Sequence, residues 1–168
     1  MTSNRTILIT GVTGKQGGAV AQALQGAGFH LRGLTRKPDG QKAAALTRQG
    51  IDIVKGDLDD EATLRRALAG AWGVFGVQNA AEAGVEREEA QGKRLATLAR
   101  EAGVEHYVYT SVGSANKRTG VPHFDNKWRI EETVRGLRFP SQVILRPVFF
   151  TQREHVPNRL SLSVNESR

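Results

Sequence analysis

Residues 11 to 17 read G-V-T-G-K-Q-G and follow directly on the apolar run Ile7-Leu8-Ile9-Thr10. Few architectures allow a strand to end in glycine and restart as a helix within a few residues. Gly11 can turn tightly off the strand without a Cβ clash, and Gly14 lets backbone come close to a pyrophosphate. Gly17 permits the new helix to lie close on the strand. The helix then points its N–H groups and positive dipole end at the phosphates, with Thr13, Lys15 and Gln16 on the same turn. Glycine spacing alone is weak in a chain with 19 glycines. The strand before and the amphipathic helix after supply the context for a dinucleotide site, the alternative being a purely structural turn.

The rest of the chain alternates short β-rich runs with helical patterns, which predicts a parallel sheet covered on both faces. Strands are expected at about 6–10, 30–35, 51–55, 73–77, 105–110 and 141–146, the last stopped by Pro147. Helices are expected at about 15–27, 41–49, 84–102 and 124–137. A further helix is capped by Asp59 or Asp60, with Leu64, Ala67, Leu68 and Ala71 as its stripe. Right-handed crossovers then give a doubly wound, Rossmann-like sheet in the order 3-2-1-4-5-6. Residues 1–150 read as one dinucleotide-binding domain and 151–168 as a polar tail. A last short strand at Leu160–Val164 is the one element expected in that tail.

Composition narrows the function classes. With 168 residues the chain can bury a core, and with no cysteine it has no disulfide, thiolate metal site or thiol nucleophile. Its four histidines, His30, His106, His123 and His155, show no ligand spacing and read as surface or loop residues. Met1 to Arg5 run straight into a strand, which leaves no room for a signal peptide, and no apolar run is long enough to cross a bilayer. Cytoplasm is the expectation. The net charge of +7 invites a nucleic-acid reading, but the basic residues are dispersed and little interleaved with aromatics.

Part of that charge has a local use. NAD-selective sites usually place an acid at the end of the second strand, on the ribose 2′-OH. Here the strand ends Leu34-Thr35-Arg36-Lys37, and the first acid is Asp39, beyond Pro38. A guanidinium there can pair with a 2′-phosphate through two hydrogen bonds, and Lys37 adds charge, so NADP(H) is expected over NAD(H). The alternative is a solvated basic turn. Asp57, with Leu58 after the third strand, can reach the adenine edge, although a helix-capping role explains Asp57 as well.

These features resemble the NmrA-like family of atypical short-chain dehydrogenases/reductases. The likeness rests on G-V-T-G-K-Q-G-G, Thr35-Arg36, Gly56-Asp57-Leu58, Tyr109-Thr110-Ser111-Val112, His123-Phe124-Asp125-Asn126-Lys127 and Ile144-Leu145-Arg146-Pro147-Val148-Phe149-Phe150, over residues 5 to about 150. The resemblance implies NADP(H) binding, with either a redox-sensing or co-regulatory role or reduction of quinones and similar acceptors. Catalytic short-chain dehydrogenases use Tyr-x-x-x-Lys plus a serine, the lysine holding the nicotinamide ribose. Lys127 matches that lysine, but His123 stands where the tyrosine belongs, and Tyr107 and Tyr109 lie on the fifth strand. His123 is a candidate proton donor. Lys127 has a plainer reading as a helix lysine paired with Glu131 at i+4. Ser111 is a candidate nicotinamide or substrate contact, or simply a serine closing a strand.

Proteins of this family continue into a smaller C-terminal region that shapes the substrate cleft. The present chain reads as truncated after the sixth strand, which weighs toward a sensor over an enzyme and leaves Val148-Phe149-Phe150 uncovered, a surface for a protein partner or for self-association. A basic nucleic-acid-associated protein without cofactor is the remaining alternative.

Overall fold

A computed structural model of the chain describes residues 5–117 and 119–148. Its six strands are β1 (Thr6–Ile9), β2 (His30–Thr35), β3 (Asp52–Lys55), β4 (Ala71–Gly76), β5 (His106–Thr110) and β6 (Ser141–Leu145). All pair in parallel in the order β3-β2-β1-β4-β5-β6, the order expected from right-handed crossovers. The helices are α1 (Lys15–Leu24), α2 (Gln41–Arg48), α3 (Glu61–Leu68), α4 (Ala80–Ala83), α5 (Val85–Glu101) and α6 (Pro122–Gly136). Among the described residues no helix is long and apolar enough to cross a membrane.

Strand residues alternate between two cores. Ile7 and Ile9 point with Val12, Ala21, Leu31 and Phe75 toward α1 and α2. Leu8 faces the other way, with Leu64, Leu95, Tyr107, Tyr109 and Ile130 under α3, α5 and α6. Burying each such side chain contributes roughly 1.5–3 kcal/mol, and the alternation fixes which helices cover which face.

Several boundaries move for identifiable reasons. β4 begins at Ala71, two residues before the expected start, because Gly70 at φ +69° ends the preceding helix and Thr6 pairs with Ala71. Ala71 therefore belongs to the sheet and not to the α3 stripe. Asp60, not Asp59, caps α3, its Oδ1 accepting from the Thr63 backbone N–H at 3.2 Å. α1 ends at Leu24, before glycines 26 and 28 take left-handed angles. α6 starts earlier than expected, with Pro122 in its first turn, where a missing N–H does no harm. The short α4 had no counterpart in the sequence pattern. Phe149, Phe150, the polar tail and the strand expected at Leu160–Val164 lie outside the described residues.

Candidate functional site

The order of strands places β1 beside β4, the point where chain direction across the sheet reverses and ligands of doubly wound folds sit. Thr10, just past β1, ties the two strand ends together. Its Oγ1 accepts from the Val77 N–H at 2.8 Å and donates to the Val77 carbonyl at 3.0 Å. Above them opens a cleft of about 1390 Å³. It is lined by the candidate cofactor and catalytic residues of the sequence analysis: Gly11, Thr13, Gly14, Lys15, Gln16 and Gly17 at its floor, Arg36 and Lys37 after β2, Asp57 and Leu58 after β3, and Ser111, His123 and Lys127 at the far end.

The glycine turn has the tightness its sequence implies. Gly11 sits at φ +59°, and a Cβ on Gly17 would lie 2.3 Å from the Gly11 carbonyl oxygen. That contact is with backbone, so α1 can approach β1 only with glycine there. Gly14 is the N-cap of α1 and supplies no capping side chain, so the first N–H groups of the helix face the cleft.

At the β2 end, Arg36 forms an ion pair with Glu82 of α4, both side chains more than half exposed. Lys37 donates its backbone N–H to Thr35 Oγ1 at 3.2 Å. Asp57 does not cap α3: its Oδ1 accepts from the Asp59 N–H at 3.0 Å, closing a turn of its own. Asp59 is held by Arg87 and Gln91, the latter at 2.8 Å. The hydrogen bond from Arg87 holds the Asp59 carboxyl below its ordinary range, against the opposing effect of burial.

The opposite end is built from α5, α6 and β5. Lys127 is only 4% exposed, and its Nζ lies 2.7 Å from Glu88 Oε1. The plainer alternative for Lys127, a pairing with Glu131, does not form: both lie on the buried stripe of α6, and Lys127 pairs with Glu88 while Glu131 pairs with Arg146 past β6. Glu131 accepts two hydrogen bonds from Arg146, at 2.9 and 2.6 Å. Asn126 Nδ2 donates to Glu88 Oε2 at 2.8 Å and to the Val85 carbonyl at 2.9 Å. His123 is half exposed, its Nδ1 standing 3.6 Å from Glu88 Oε2. Tyr107 and Tyr109 are fully buried, and desolvation pushes both phenols far above their ordinary range. Neither offers a proton to the cleft.

Among the cleft residues that the sequence pattern did not point to are Gln78, Glu82 and Glu88. Gln78 follows β4, is 6% exposed, and neither of its amide atoms has a partner among the described residues. Glu88 carried a usable signal, since it occupies the same helical stripe as Gln91, Leu95 and Ala99. A carboxylate on a buried stripe demands a partner.

The model of the NmrA-like family matches residues 3–161. The chain belongs to the NmrA-like family. The match runs past residue 150, where the likeness read from motifs stopped. An NmrA-like family domain-containing oxidoreductase, himF of Aspergillus japonicus, is 33% identical over 86% of this chain and 46% of its own length. The NADP complex of NmrA, a negative transcriptional regulator, superposes at TM-score 0.71 and 26% identity, over 84% of this chain and 45% of that one. The NADPH-dependent quinone oxidoreductase QOR2 of Escherichia coli, complexed with NADPH, does so at TM-score 0.71 and 29% identity, over 83% and 48%. This NmrA-like chain thus spans about half the length of the relatives it matches.

Proposed function

We propose that this chain binds NADP(H) in the β1–β4 cleft and works as a redox-sensing dinucleotide domain, with residues 1–150 as its unit. The observation that carries this reading is the meeting of the tight glycine turn with Arg36 and Lys37 along one cleft. The cleft fits the cofactor on three counts. The start of α1 has no capping side chain, two cations lie at the end of β2, and buried Gln78 has both amide atoms unpartnered among the described residues. In this reading residues 11–17 hold the pyrophosphate and Arg36 and Lys37 the 2′-phosphate. Asp57 and Leu58 line the adenine end, and Lys127 meets the nicotinamide ribose. When bound, the cofactor supplies or accepts a hydride. Related proteins with NADP(H) in the same fold support the assignment.

Sensing requires that reduced and oxidised nucleotide bind differently and that a surface reports the difference. The edge strand β6 leaves Val143 and Leu145 exposed, and Val148 beyond it is 73% exposed. We take this side as the place where a protein partner or a second copy meets the chain, in the cytoplasm.

A second reading, an NADPH-dependent oxidoreductase acting on a quinone or similar small acceptor, is favoured by the polar cluster of Glu88, His123 and Lys127 at the far end of the cleft. Titration with NADP, NADPH and NAD tests the binding claim, and equal affinity for NADP and NAD would overturn it. NADPH oxidation with a panel of quinones separates the two roles. Sustained turnover by this chain would favour the reductase, and tight binding without turnover the sensor.

A further inference from the structure

The Glu88–Lys127 pair is hard to account for as a stabilising device. Glu88 is fully buried and Lys127 4% exposed. Removing two ions from water costs several kcal/mol each, and apolar replacements of similar volume commonly leave stability unchanged or improve it. The pair nonetheless sits on the wall of the cleft, with considerable structure devoted to holding it there. Gly92, one turn after Glu88, has no room for a Cβ, which would lie 2.7 Å from Ile130 Cδ1. That close crossing of α5 and α6 brings a glutamate within 2.7 Å of a lysine on the neighbouring helix. Asn126 fixes the second carboxylate oxygen and ties α6 to the first residue of α5. The Lys127 ammonium lies over the Tyr109 ring, 5.5 Å from its centroid. His123 Nδ1, at 3.6 Å from Glu88, is too distant for a hydrogen bond. Among the described residues, the one short ionic contact of Glu88 is therefore with Lys127.

We propose that Glu88 is a positioning residue, which orients the Lys127 ammonium toward the nicotinamide half of the dinucleotide while leaving the adenine half untouched. The proposal rests on the NADP(H) reading above. The ion pair fixes where the ammonium sits, because the stem cannot swing away without abandoning a buried carboxylate. The cleft thus receives a cation in one orientation, where an exposed lysine would present many rotamers.

Glu88→Gln is the test, because it removes the charge, keeps the shape and keeps a carbonyl oxygen for Asn126. Two probes separate the ends of the cleft: NADPH, and adenosine 2′,5′-bisphosphate, which lacks the nicotinamide half. We expect Glu88→Gln to bind NADPH about tenfold more weakly, with a smaller change in nicotinamide fluorescence on binding. Its affinity for the bisphosphate should stay within about twofold of the parent. The double variant Glu88→Gln with Lys127→Met should bind NADPH no more weakly than Lys127→Met alone. Unchanged NADPH affinity overturns the proposal. So do equal losses for both probes, which would make Glu88 a support of the fold, and so do additive losses in the double variant. If Lys127→Met does not fold, the comparison of the two probes in Glu88→Gln decides alone. Failure of the unmodified chain to bind the bisphosphate removes the dinucleotide reading itself, a separate outcome.

Discussion

The two ends of the cleft hold charge in opposite ways. At the β2 end, Arg36 and Glu82 meet in water, both side chains more than half exposed. At the α5–α6 end, Glu88 and Lys127 meet out of it, with side-chain exposures of 0% and 5%. Exposed pairs contribute typically 0.2–1 kcal/mol, are screened by salt and rearrange readily. A buried pair is costly to break, because the survivor stays uncompensated. The first end therefore suits capture and selection of an incoming phosphate, and the second suits fixed geometry. One cleft combines an adaptable charge with an immobile one.

The largest effect should come from breaking the immobile end. Lys127→Met leaves Glu88 buried and unpaired and should cost about 3–5 kcal/mol in denaturant unfolding. Adding Glu88→Gln should recover much of that loss. A single variant as stable as the parent would show that water reaches Glu88 and that the two ends hold charge in much the same way.

Next comes the floor shared by both ends. Gly17→Ala puts a Cβ 2.3 Å from a backbone oxygen. Forcing α1 off β1 should cost about 1–3 kcal/mol and weaken NADPH binding, read by thermal melting and calorimetry. Normal melting and binding in this variant would mean that the turn has slack.

At the adaptable end, Arg36→Ala should erase a preference for NADP(H) over NAD(H) of about tenfold, worth about 1.4 kcal/mol, and leave the melting temperature almost unchanged. Calorimetry with both nucleotides checks it. A retained preference would transfer the 2′-phosphate to Lys37 alone.

The smallest effect belongs to Asp59, which braces α5 from the α3 side. Arg87 holds its carboxyl below the ordinary value of 3.8. A carboxyl lowered in the folded state contributes stability that is complete above its ordinary value and fades as the pH falls through the folded one. Melting curves from about pH 5 to pH 2 should therefore be flatter for Asp59→Asn than for the parent. Identical slopes would assign the acid sensitivity to other carboxylates, such as Glu131. There burial is the largest influence and opposes the charge, but Arg146, Ser111 and Arg135 together outweigh it and hold the carboxyl below its ordinary range.

Most of the fold was legible in the sequence because its signals are local. The run Ile7 to Thr10 and the glycine turn announce β1 and α1, and the alternation of strand and helix patterns, joined to crossover handedness, leads to the observed sheet order. The local site residues were legible for the same reason. The glycine turn, Arg36, Asp57 and Ser111 follow strand ends, and in a parallel doubly wound sheet all those ends open on one side, so they line one cleft whatever the packing details.

What depended on two distant elements was not legible. Lys127 and Glu131, four residues apart, offer a pair in one dimension, yet Lys127 turns to Glu88 on α5 and Glu131 to Arg146 past β6. Spacing along a helix says which side chains are near; it does not say which buried charge stands across the interface. The starts of β4 and α6 shifted for a milder version of that reason, since pairing with Thr6 and the tolerance of Pro122 for a first turn outweighed the apolar pattern.

The sequence alone determined the sheet, its order and the address of the cleft, because hydrophobic periodicity and glycine geometry act over a few residues. The tertiary structure alone decided that Glu82 faces Arg36 and that Glu88 holds Lys127. Ion pairs form between groups that packing brings together, and α5 comes this close to α6 because Gly92 admits Ile130.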